Sequence, residues 1–130
     1  MENIIKGLGH IGIIVNDMQK SQDFYKRLGF ALDKQARRGE IKLAFLSAGT
    51  CLIELIEKPG ETRPGRGQSV IDHIAIEVSC VETAVQHAIA NGIDIDASAI
   101  MSIDILGGVK NVFFAGPDGE GLEFFEWIKN

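Results

Sequence analysis

The sequence predicts an α+β fold built from two tandem βαβββ modules. Two observations carry that prediction. First, the chain of 130 residues repeats itself: His10-Ile-Gly-Ile-Ile-Val15 is echoed by His73-Ile-Ala-Ile-Glu-Val78, and Leu52-Ile-Glu54-Leu-Ile-Glu57 by Gly121-Leu-Glu123-Phe-Phe-Glu126. The spacing is regular. His10 and His73 stand 63 apart, as do Gly29 and Gly92, while Glu54 and Glu123 stand 69 apart, as do Phe45 and Phe114, and Glu57 and Glu126. Second, within each half the apolar period runs from two to helical and back to two. Duplication fixes the architecture before any single element is assigned. The second half gains six residues, most simply in the loop near Ile100–Gly108.

Ile11, Ile13 and Val15 alternate with His10, Gly12 and Ile14, as in a strand. Asn16 or Asp17 can cap the helix that follows, and Gly29 suits its C-terminal end. Met18, Tyr25 and Leu28 share a face of that helix, with Phe24 at its edge. Phe30–Ala36 and Ile41–Leu46 read as strands around a turn at Arg37–Glu40. Ser47–Thr50 turns the chain into a strand at Cys51–Glu57. In the second half, Ile71–Val78 reads as a strand and Val81–Asn91 as a helix stopped by Gly92. Ile93–Ala97 reads as a short strand, Ala99–Gly108 as a loop, and Lys110–Ala115 as a strand. Gly116-Pro-Asp-Gly119 is a turn, since Pro presets φ and Gly tolerates φ > 0. Gly121–Ile128 is the last strand.

Length fits one domain, with module one at about 8–58, a Pro- and Gly-bearing linker at 59–69, and module two at about 70–130. Hydrophobic residues make up 45% of the chain, enough for a core without staples. Net charge is −5, which argues against a nucleic-acid partner. Arg37-Arg38 and Arg63/Arg66 are the local basic clusters. Cys51 and Cys80 do not form a metal-type pair and read as reduced, buried thiols. The start Met-Glu-Asn-Ile-Ile-Lys lacks a signal peptide's pattern, and no apolar run could span a bilayer, so the expected location is the cytoplasm.

Strand alternation puts chemistry on particular faces. His10 shares its face with Gly12 and Ile14, His73 with Ala75 and Glu77, Glu54 with Leu52 and Ile56, and Glu123 with Gly121 and Phe125. If those faces line one concavity, two imidazoles and two carboxylates converge. That donor set suits one divalent ion, Ni, Zn, Co, Mn or Fe. A lone strand histidine is usually a core or edge residue. The argument for metal is that both repeats offer His on the first strand and Glu on the last. Glu57 and Glu126 point the other way and read as surface or strand-end charges. Glu77 reads as a solvated strand end, and His87 as a helix-surface residue without a comparable partner. Gly7-Leu-Gly9-His-Ile-Gly12 matches a dinucleotide fingerprint literally, but a strand follows it instead of preceding it. Arg63-Pro-Gly-Arg-Gly67 could cradle an anion, yet reads better as solvated linker.

Five segments together resemble the vicinal oxygen chelate superfamily, the glyoxalase and bleomycin-resistance fold. They are His10-Ile-Gly-Ile-Ile-Val-Asn-Asp17, Phe24-Tyr-Lys-Arg-Leu-Gly-Phe30, Ile53-Glu54-Leu55, Asp72-His-Ile-Ala-Ile-Glu-Val78 and Gly116-Pro-Asp-Gly-Glu-Gly-Leu-Glu123. The resemblance implies curved, open mixed sheets around a central cavity. It places metal ligands on His10, Glu54, His73 and Glu123, and catalytic proton transfer on Glu123 or Glu54. It also implies a homodimer, in some members with the site shared between subunits. The four-ligand set resembles the isomerase branch. The implied activity is that of a glyoxalase I-like lyase or isomerase, removing a proton next to a carbonyl through an enediolate or enolate. The substrate would be a small molecule with adjacent oxygens. Ile14, Phe45, Met101 and Phe125 are its candidate walls. Bacterial glyoxalase I usually has arginine where this chain has Ile14 and asparagine where it has Lys58, so a glutathione substrate is not implied. The alternatives are an acyl-CoA epimerase of the methylmalonyl-CoA type and a small-molecule or antibiotic-binding resistance protein without catalysis.

Overall fold

The computed structural model describes residues 8–60, 71, 73–105 and 107–128. The chain divides into two compact units, Met1–Thr62 and Arg63–Asn130. The first contains β1 (Ile11–Ile14), α1 (Met18–Leu28), β2 (Ala31–Arg38), β3 (Ile41–Ala48) and β4 (Cys51–Glu57). The second contains β5 (Ile74–Glu77), α2 (Val81–Ala90), β6 (Met101–Ile103), β7 (Val109–Ala115) and β8 (Gly121–Trp127). Each unit is one open, four-stranded mixed sheet, ordered β1-β4-β3-β2 and β5-β8-β7-β6. In each, the first strand pairs parallel with the last, and the other pairings are antiparallel. The fold is therefore the α+β duplication that the repeat predicts. Arg63-Pro-Gly-Arg-Gly67 and nearly all of the linker lie outside the described residues.

Local chemistry explains the helix ends. The Asp17 carboxylate accepts the Lys20 N–H at 3.1 Å, and Gly29 closes α1 at φ 119°, a conformation that suits glycine. The helix buries Met18, Ser21, Gln22, Phe24 and Tyr25, while Leu28 is half-buried. Tyr25 makes edge contacts with Phe24 and Phe30. Alternate strand residues Ala44, Leu46, Ile53 and Leu55 complete this core. In the second unit Val81, Val85 and Ala88 bury one stripe of α2, and Val112, Phe114, Leu122 and Phe124 form the buried sheet face.

The structure corrects several boundaries. β2 continues through Arg38, because Arg37 and Arg38 pair with Lys42 and Ile41 and leave Gly39-Glu40 as the turn. Ile93–Ala97 forms no strand. Its alternating Ile and Asp mimic period two, but the Ile93 N–H bonds to Ala88 O at 2.9 Å, extending the α2 exit. Asp96 then accepts the Ser98 N–H at 2.9 Å and its hydroxyl at 2.6 Å, opening a 3₁₀ turn at Ala97–Ala99. Ile93 and Ile95 are buried without sheet pairing. The strand lies instead at Met101–Ile103, within the segment expected to be a loop.

Pairing also redistributes the six extra residues. Arg38 opposite Ile41 matches Ile103 opposite Val109, offsets of 65 and 68. Two residues are thus gained ahead of β6, three in the β6–β7 turn, and one between β7 and β8. Phe45 consequently corresponds to Phe113, not Phe114: Phe45 stands opposite Glu54 and Phe113 opposite Glu123. Phe114 is buried on the helix side, with its ring 4.8 Å from that of Phe124.

Cys51 and Cys80 are free thiols, half-buried instead of buried. Burial pushes the Cys51 thiol up. Among the described residues, no helix is long and apolar enough to cross a membrane.

Candidate functional site

His10 and Glu54 come from opposite ends of the first module, and parallel pairing of β1 with β4 joins them. Gly12 stands opposite Glu54, so His10, two residues earlier, shares that face. His10 Nε2 lies 3.2 Å from Glu54 Oε1. The Phe45 ring meets the imidazole edge-on at 5.3 Å. A Cβ at Gly12 would lie 3.5 Å from Ile56 Cδ1 and 3.8 Å from Glu54 Oε1, both ordinary contacts. Ile14 is half-buried further along the same face.

The second module builds the same pair. Ala75 stands opposite Glu123, and His73 Nε2 lies 3.1 Å from Glu123 Oε1. Phe113, 46% exposed, meets this imidazole edge-on at 5.2 Å. The Glu123 side chain is only 6% exposed, against 17% for Glu54. Asn111, on β7, donates from Nδ2 to Glu123 Oε2 at 2.8 Å. Phe125 is half-buried opposite Asn111, and Met101, 55% exposed, is Asn111's partner on β6. Glu77 and His87 are exposed, as expected.

Each module thus places an imidazole nitrogen beside a carboxylate oxygen. Two donors about 2.1 Å from one ion lie about 3.0 Å apart at a right angle and about 3.4 Å apart at the tetrahedral angle. Separations of 3.1 and 3.2 Å fall between these limits, so each pair fits two neighbouring positions around a divalent ion.

Sequence reading missed Phe113, Asn111 and the role of the second repeated glutamates. Glu57 Oε1 accepts the Met18 N–H at 2.7 Å, and Glu126 Oε1 accepts the Val81 N–H at 2.9 Å. Each last strand therefore caps its own module's helix, and these residues are not idle surface charges. A negative group is also favoured at a helix N-terminus. The retained 69-residue offset was the available signal. α1 has a second cap in Asp17, whereas Cys80 makes no side-chain capping bond to α2. Glu126→Ala should therefore cost about 1–2 kcal/mol, and Glu57→Ala less. Thermal melts should read this as a loss of roughly 3–6 °C. An equal or smaller loss in Glu126→Ala would remove the capping role.

Cys80, Glu82 and Glu126 also bring potential ligand atoms within 4.8 Å of one another. Their atoms already have partners. Val81 N–H holds Glu126, Lys110 Nζ holds Glu82 at 2.8 Å, and Thr83 Oγ1 lies 3.3 Å from Cys80 Sγ. The Lys110 hydrogen bond holds the Glu82 carboxyl below its ordinary range. This group is a helix-start network. Arg38, opposite Ile41, shares the Phe45 face, while Arg37, opposite Lys42, lies on the other. An open cavity of about 410 Å³ lined by Met18, Gln22, Arg37 and Lys42 includes neither His10 nor Glu54.

The sequence profile of the Glyoxalase/Bleomycin resistance protein/Dioxygenase superfamily matches residues 7–124. The uncharacterized Bacillus subtilis protein YwkD is 33% identical, over 95% of this chain and 98% of its own. A glyoxalase family protein from Enterococcus faecalis superposes with a TM-score of 0.78 at 25% identity, covering 93% of this chain and 98% of that one. The Listeria monocytogenes fosfomycin resistance protein FosX, solved with Mn(II) and sulfate, gives a TM-score of 0.70 at 19% identity. The FosX match covers 95% of this chain and 93% of that one, a likeness of fold.

Proposed function

The chain belongs to the Glyoxalase/Bleomycin resistance protein/Dioxygenase superfamily, and from that premise we propose a metal-dependent lyase or isomerase of the glyoxalase I kind. One observation carries the reading: the imidazole–carboxylate pair occurs twice, at 3.2 and 3.1 Å, on equivalent strands of the two modules. In this proposal His10, Glu54, His73 and Glu123 hold one divalent ion, within a chain or across a homodimer. Exposed Ile105, Trp127 and Ile128 support a partner subunit, and the free thiols of Cys51 and Cys80 accord with a reducing cytoplasm.

A divalent ion held by these four residues, Ni, Zn, Co, Mn or Fe, would supply Lewis-acid stabilisation to negative charge developing on the substrate. The chain's own residues do the rest. Glu123 or Glu54 takes the proton from the carbon beside the carbonyl, and the same or the opposite carboxylate returns it. A positioned base of this sort is worth about 10²–10⁴-fold in rate. Phe45 and Phe113 restrain the imidazole rings by edge contact. Ile14, Phe45, Met101 and Phe125 are the proposed substrate walls.

The test starts with metal analysis of purified protein, for which one ion per quartet of ligands is expected. Hemithioacetals, acyl-CoA thioesters and fosfomycin follow as a substrate panel. Turnover of a hemithioacetal supports the glyoxalase-like assignment, and turnover of an acyl-CoA moves it to the epimerases. Tight binding without turnover in any metal form replaces the enzyme with a sequestering protein. Substoichiometric binding of every cation tried removes the metal reading.

A further inference from the structure

The two half-sites are alike in His, Glu and Phe but differ behind the carboxylate. Asn111 faces Phe125 across β7 and β8, and its counterpart in the first module, facing Ile56 across β3 and β4, is Leu43. Asn111 is 7% exposed. Its Nδ2 holds Glu123 Oε2 at 2.8 Å while His73 lies on Oε1, so both carboxylate oxygens are engaged. The orientation follows from chemistry, because a carboxylate accepts and the amide nitrogen is the group that donates. Turning the amide this way leaves Asn111 Oδ1 buried without a hydrogen-bond partner among the described residues. A residue present only to fill this space would be better as the leucine of the first module, since an unmet buried acceptor costs free energy.

We propose that Asn111 is a positioning residue: it fixes the Glu123 carboxylate so that Oε1 is presented in one direction, and thereby makes the two half-sites unequal. Glu123 is then the rigid ligand. Glu54, more exposed and with Leu43 where the second module has Asn111, is held less tightly. The role at the metal rests on the reading above, whereas the clamp itself is a property of the chain alone.

Two measurements separate them. In metal-free protein, one Asn111 side-chain amide proton should be protected from exchange in ¹⁵N spectra, and Glu123→Ala should abolish the protection. Freely exchanging amide protons in the parent would overturn the clamp. In titrations with Zn(II) and Mn(II) alone, Asn111→Leu should weaken binding about 10–100-fold, the range for losing a group that orients a ligand. Its metal-free melting temperature should fall by less than the binding loss requires, since the substitution removes one orphaned acceptor, Asn111 Oδ1, and creates another at Glu123 Oε2. Asn111→Gln, which keeps the amide, should recover part of the affinity, and Leu43→Asn should add some at the other half-site. Parent-like affinity in Asn111→Leu overturns the positioning role, as does a metal-free stability loss that accounts for the weakened binding. A protected amide in a parent that binds neither cation retains the clamp and removes the metal reading.

Discussion

Glu123→Gln is expected to lower turnover by about 10²–10⁴-fold while the protein stays folded. The substitution keeps shape and volume but removes the negative charge and one of the two acceptor oxygens. In the parent, those oxygens meet His73 Nε2 at 3.1 Å and Asn111 Nδ2 at 2.8 Å. With Asn111 as it stands, the glutamine oxygen takes the Asn111 N–H and its NH₂ turns toward His73; if both amides flip, the oxygen facing His73 is a neutral carbonyl, a weaker metal ligand than a carboxylate. The variant should therefore lose catalysis and metal affinity together. Steady-state kinetics on the best substrate of the panel, paired with a thermal melt, checks this. Unchanged turnover would exclude Glu123 as base or essential ligand.

His10→Ala and His73→Ala should each reduce metal occupancy, by more than the roughly 10–100-fold in affinity typical of losing a mere supporting group. The larger loss is expected at His73, because its carboxylate partner is the more buried and is held by a second bond. Alanine there leaves Glu123 with an unpaired oxygen in a poorly hydrated place, which a compensating water can only partly relieve. Elemental analysis after dialysis against limiting metal gives the occupancy. The same stoichiometry in variant and parent would end the ligand assignment at that position. A chelator should also destabilise the parent more than either variant, since bound ion at 100 times its dissociation constant adds about 2.7 kcal/mol.

The duplicated pattern carries much of this in plain view. A two-residue period fixes which side of a strand His10, Gly12 and Ile14 occupy, so the imidazole–carboxylate pairs follow once β1 and β4 are known to pair. Asp17 and Gly29 mark α1 because their reasons are local: a side-chain acceptor at the start, a left-handed residue at the end. What stayed hidden depends on register or on contacts between distant elements. Nothing near Glu126 in sequence says that its carboxylate reaches Val81 N–H, 45 residues away. Phe113 was missed because two phenylalanines stand together and one residue enters the turn before β8, so the apparent match fell on Phe114. The 69-residue offset matches Asn111 with Lys42, whereas strand pairing matches it with Leu43. The strand expected at Ile93–Ala97 failed because side-chain capping by Asp96 competes with sheet pairing, a contest that apolar periodicity does not register.

The parallel pairing of β1 with β4 bears on the order in which the molecule assembles. His10 precedes Glu54 by 44 residues, and His73 precedes Glu123 by 50. Hairpins β2–β3 and β3–β4 close short loops and can form early, whereas the first strand must return across the whole module to find the last. On the ribosome, an emerging chain therefore has no paired donors until a module's final strand has been synthesised. A cation captured by that pair would act late, locking a topology already reached instead of nucleating it.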